Sequence, residues 1–237
     1  MDGTLRDDRR RGASPSPDDA GCREIGLVAL GGDPGADSPE VPDLLLDDFA
    51  AALAAYERVS SRGLGAEIAR GVEFVRATMP RAAKADEGLG ACESVVAACH
   101  LGQEGDPSRI EEALAGAAGA ADGGIYLIAA IDDQVDGGIA KHVEDEAARA
   151  LGDAGRLAGC VVIGYGSLLP RLWKTPRLGM WRRPVAEAID ALVAAVRMGS
   201  PLVNPLAAEP HRLWLRLQGL HRDRSHGRDQ SRGQGRS

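Results

Sequence analysis

The sequence predicts an α/β fold, a small parallel sheet flanked by Ala-rich helices. Three observations carry that prediction. Short apolar runs at 24–30, 125–130 and 160–163 are separated by stretches with helical spacing of apolar residues. The runs do not alternate polar with apolar, as expected of strands covered on both faces. Each run closes on Gly or Asp, the residues that end buried strands. An all-α fold is the competing architecture, because periodicity alone does not separate a short buried strand from a buried helix segment.

The first strand is Glu24-Ile25-Gly26-Leu27-Val28-Ala29-Leu30, closed by Gly31-Gly32-Asp33-Pro34-Gly35. Residues 47–59 read as a helix, with Phe49, Leu53 and Tyr56 at spacings of four and three. A second helix is expected over 64–79, with Leu64, Ile68, Val72 and Met79 on its apolar side and Pro80 as its stop. The Ala-rich stretch 85–102 reads as another, with 94–98 the place where a further strand would hide. Ser108 and Glu111 form a capping box ahead of Ala113 and Leu114. The second strand, Ile125–Ala130, is followed at once by Asp132, Asp133 and Asp136. Residues 138–151 return to helical spacing through Ile139, Val143 and Leu151. The third strand, Cys160–Ile163, ends in Gly164-Tyr165-Gly166-Ser167. The last helix starts near Pro184, a residue suited to a first turn, and runs to Met198.

The chain of 237 residues fits one globular domain over 21–205. Residues 1–20 mix Arg, Asp, Ser, Pro and Gly with few large apolar residues, and read as disordered. Residues 206–237 read as a basic, largely disordered tail, with a short ordered stub around His211–Leu217. From 211 onward the chain has seven Arg against two Asp. Aromatic residues make up only 3%, so the core must be Ala, Val, Leu and Ile. A net charge of -7 argues against nucleic-acid binding by bulk charge. The charged N-terminal residues have no apolar run behind them, and no stretch is long enough to span a membrane. Four cysteines without a disulfide spacing fit a reducing, cytoplasmic setting.

In a parallel sheet, ligands bind outside the carboxyl ends of the strands. Asp33, Asp132 and Asp133 all follow strand ends. Asp33 and Asp132 would therefore hold a divalent metal such as magnesium, with Asp133 a further candidate catalytic carboxylate. Gly164, Gly166 and Ser167 could cradle an anion with backbone N–H groups. Residues 171–183 carry Arg171, Lys174, Arg177, Arg182 and Arg183 with no acid among them, interleaved with Trp173 and Trp181. Arg171, Lys174 and Arg177 are the candidate anion clamp, since a guanidinium fork suits phosphate or carboxylate. Each feature also has a plain structural role: a turn, a helix cap, or a charged loop plugged by tryptophans. Cys92 and Cys99, with His100 adjacent, match no zinc spacing, and the two cysteines read as small packing residues.

Two functions follow. One is a metal-assisted enzyme acting on a phosphorylated or otherwise anionic small molecule. The other is a non-catalytic binding or assembly protein, whose basic loop and tail dock an acidic protein or nucleic acid.

Overall fold

The computed structural model describes residues 23–30, 40–63, 72–79, 89, 92–102, 110–111, 114, 124–152 and 156–219. The chain is α/β, as the apolar runs predict. Its centre is one six-stranded sheet in the order β2-β1-β3-β4-β5-β6, with every pair parallel. The strands are β1 (Arg23–Leu30), β2 (Val72–Met79), β3 (Ser94–His100), β4 (Ile125–Ala130), β5 (Leu157–Ile163) and β6 (Leu206–Ala208).

Helices cover both faces. On one lie α1 (Val41–Gly63) and α4 (Arg183–Met198), packed on Ile25, Leu27, Val96, Ala98, Tyr126, Ile128, Val161 and Ile163. On the other lies α2 (Gly137–Leu151), against Val28, Val95, Ala97, Leu127, Ala129, Cys160 and Val162. Successive strand residues feed the two clusters alternately, as the pleat requires. Both faces being dry, the runs are apolar without interruption. α3 (Leu169–Leu172) and α5 (Arg212–Leu217) are short.

Several element boundaries differ from the sequence expectation. Val72–Met79 is strand, not the end of a helix over 64–79. Its apolar residues fall four and seven apart by coincidence. The local Val-Glu-Phe-Val composition, rich in β-branched and aromatic side chains, favours an edge strand. The stretch 94–100 is strand too, where 85–102 reads as helix. The sheet also continues past residue 205. β6 pairs Leu206, Ala207 and Ala208 with Val161, Val162 and Ile163. The stub at 211–217 is helical, and its Trp214 and Leu215 enter the core. Residues 1–20 and 220–237, and most of the capping-box segment, lie outside the described residues.

Candidate functional site at the carboxyl edge of the sheet

The strand order sets where a site belongs. From β1 the chain first moves outward to β2, then returns across β1 to β3 and proceeds to β6. The connections leaving β1 and β3 therefore run to opposite sides, the switch point at which open α/β sheets place a ligand crevice. Residues 31–39, Asp33 among them, follow β1 and lie outside the described residues.

Beside that switch point three strand ends are tied together. His100 is the last residue of β3, opposite Ala130 of β4. Its Nε2 is 2.8 Å from Asp132 Oδ1. The same oxygen accepts the backbone N–H of Ser167, beyond β5, at 2.7 Å. Both side chains are half-buried. Burial alone would raise the Asp132 carboxyl. The hydrogen bond and charge of His100 and the N–H of Ser167 outweigh it, holding the carboxyl below its usual range.

The β5 loop is shaped around this joint. Tyr165 has φ 59° and ψ 45°, the only described non-glycine residue with positive φ. Such a conformation costs on the order of 1–3 kcal/mol and persists where surrounding contacts dictate it. Here the Tyr165 N–H donates to Asp133 O at 3.1 Å, and the Gly166 N–H to Ile131 O at 2.8 Å. Gly166 must be glycine for the imidazole to fit, because a Cβ there would lie 2.7 Å from His100 Nε2.

The other candidate residues divide. Asp133 accepts its neighbour Gln134 N–H at 2.7 Å and is exposed. Asp136 caps α2 through Ile139 N–H at 2.9 Å. The N–H groups of Gly164, Gly166 and Ser167 all donate within the protein, to Ala208 O, Ile131 O and Asp132 Oδ1. Arg177 bonds Asp190 through both terminal nitrogens, at 2.5 and 3.2 Å, and Asp48 through Nε at 3.1 and 3.2 Å. Arg182 pairs with the same Asp48 and lies 3.8 Å over the Trp173 ring. This pair is buried. Burial pushes the Asp48 carboxyl up despite both arginines, and pushes the Arg182 guanidinium down despite Asp48. Arg171 and Lys174 are exposed, and neither side chain pairs with another described residue.

The path of residues 166–174 matters for those two cations. From the end of β5 the chain crosses to the start of α1, where Trp173 Nε1 donates to Leu44 O at 3.2 Å. Leu44 is in the first turn of the helix that follows the β1 loop. The segment that carries Arg171 and Lys174 therefore runs beside the first turn of α1. Among the described residues no three His, Cys, Asp or Glu side chains group as metal ligands.

Sequence reasoning missed His100. It ends a strand hidden in an Ala-rich stretch, and its meeting with Asp132 depends on β3 and β4 being neighbours. Comparison with known proteins finds no matching family model, no matching curated protein and no matching solved structure.

Proposed function

We propose that this chain binds a phosphorylated or otherwise anionic small molecule at the carboxyl edge of its sheet, in the crevice between the ends of β1 and β3. The observation that carries the reading is the reversal of strand order at β1 and β3. The crossing of residues 166–174 supports the anionic character of the ligand, since the segment carries two exposed cations past the start of α1. His100, held by Asp132, borders the same crevice and would contact the ligand's polar end. Arg177 contributes bracing from beneath, its donors being committed to two aspartates.

A narrower proposal is metal-assisted turnover of that ligand, with magnesium held by Asp33 and Asp132. Its weak point is Asp132 Oδ1, which already accepts two hydrogen bonds. Titration calorimetry against nucleotides and sugar phosphates, with and without magnesium, separates binding from metal-dependent binding. Arg171→Ala with Lys174→Ala should weaken anion binding while leaving the melting temperature nearly unchanged. Each fully engaged charged group is worth about 2 kcal/mol, roughly thirtyfold in affinity. Unaltered affinity in the double variant would remove these two residues from the site. Absence of binding to every anion would end the proposal.

A further inference from the structure

We propose that the tip at 176–181 and helix α5 form one contact surface for an anionic lipid bilayer. Leu178 is 74% exposed and Met180 51%, on either side of Gly179. Leu213 and Leu217 stand out from α5 one turn apart, 46% and 69% exposed. The two pieces meet at Trp181. Its carbonyl accepts the His211 N–H at 2.9 Å, and its ring stands edge-on to the imidazole with centroids 6.2 Å apart. A single exposed leucine is ordinary. Four large apolar side chains on two touching segments make a patch of the kind that marks an interaction surface.

The charge around the patch identifies the partner. Residues 166–183 and 210–222 hold no Asp or Glu, in a chain of net charge -7. Arg183, Arg212 and Arg216 are exposed along them, Arg183 with Glu187 one turn on at 2.7 Å. Past α5 the sequence continues with five more arginines. Apolar side chains standing between cations suit a surface that accepts both, acyl chains beneath anionic headgroups. A nucleic acid would use the cations and leave the leucines in water. A helical peptide would need a groove to lie in, whereas Leu178 projects.

The tip is also built to project. Gly179 N–H closes a turn onto Pro176 O at 2.9 Å, and Arg182 and Arg183 N–H return to Gly179 O at 3.1 and 3.0 Å. Arg177 and Arg182, on either side, are anchored to Asp48 and Asp190. Little ordering remains to be done on contact, which favours binding.

The test is flotation of the full chain with vesicles of phosphatidylcholine alone, or of phosphatidylcholine with phosphatidylglycerol. Binding is expected only to the anionic vesicles and should weaken as salt rises. Leu178→Ser with Met180→Ser should bind them about tenfold or more weakly, because two inserted apolar side chains are lost with no change of charge. The circular dichroism spectrum and the small-anion titration should be unchanged, which keeps this result separate from the ligand crevice. Should the serines unfold the chain, Leu178→Ala with Met180→Ala gives the same reading. No binding to anionic vesicles overturns the proposal. So does equal binding by the tip variant, which would reduce the effect to charge alone. Salt-sensitive binding to a DNA duplex in place of vesicles overturns it in favour of a nucleic acid.

Discussion

The joint of His100, Asp132 and Ser167 concentrates what single residues contribute. Asp132 Oδ1 draws one donor from β3 and one from the loop after β5, so one carboxylate fastens three neighbouring strand ends. Gly166→Ala tests the packing of this joint. A Cβ there would meet His100 Nε2 at 2.7 Å and Ala130 Cβ at 3.2 Å, and the imidazole must leave its partner. Loss of a half-buried charged hydrogen bond should cost about 1.5–3 kcal/mol, read as a fall in melting temperature. A displaced His100 ring resonance in NMR spectra would locate the change, and an unmoved resonance would refute it. Asp132→Asn tests the charge. The folded carboxyl is held below its ordinary value, so its contribution is present above the unfolded pKa, near 4, and is lost as pH falls through the folded value. The stability gap between wild type and Asp132→Asn should therefore be full at neutral pH and shrink as pH drops below about 4. A gap that stays constant into acid would show that the carboxylate charge is not what matters.

Elements explain why some of this was legible beforehand and some was not. β1, β4 and β5 announce themselves because burial on both faces demands unbroken apolar runs. α2 and α4 do so because each buries one stripe, Ala140, Val143, Ala147 and Leu151 in the first and Val185, Ile189, Leu192 and Val196 in the second. β2 is an edge strand with Glu73 and Arg76 exposed, so its pattern is mixed and its apolar positions mimic a helix. β3 hides because alanines suit both a helix and a closely packed central strand. The basic segment was legible as an anomaly, but its internal division was not. Nothing in Arg171, Lys174, Arg177 and Arg182 as sequence says which two face inward; Asp48 and Asp190, on different helices, decide it. Arg177→Ala should therefore behave unlike Arg171→Ala. It leaves Asp190 without its bidentate partner and Asp48 with Arg182 alone. The expected loss is about 2 kcal/mol, that of charged hydrogen bonds in a half-buried pair and below the cost of breaking a fully buried one. Denaturant unfolding of the two single variants makes the comparison, and equal midpoints would contradict the division.

At the scale of the molecule, the question is where the fold ends. Composition alone places the boundary at 205, because basic residues dominate from 211 onward. The contacts place it later. β6 gives three residues of β5, Val161, Val162 and Ile163, their outer partners, and Gly164 N–H closes onto Ala208 O at 2.9 Å. Glu209 Oε1 accepts Val135 N–H at 2.7 Å, fastening the β4 loop to the end of β6, two strands away. His211 then docks on Trp181, and Trp214 and Leu215 fill the core under α1 and α4. A chain ending at residue 205 gives up all of this together. Emptying a Trp and a Leu site costs about 3–5 and 2–5 kcal/mol respectively by analogy with truncation to Ala. That sum is comparable to the total stability of a typical domain, on the order of 5–15 kcal/mol. The truncation would also bare the edge of β5, whose Val161, Val162 and Ile163 are fully buried, and an uncovered apolar edge recruits other chains. A chain ending at 205 should thus be insoluble or melt far below the parent. A chain ending at 220 keeps every contact named here and should melt with the parent. The two truncations, followed by thermal unfolding and size-exclusion chromatography, decide the boundary. A stable monomer ending at 205 would show that β6 and α5 are appended to the fold, not part of its core.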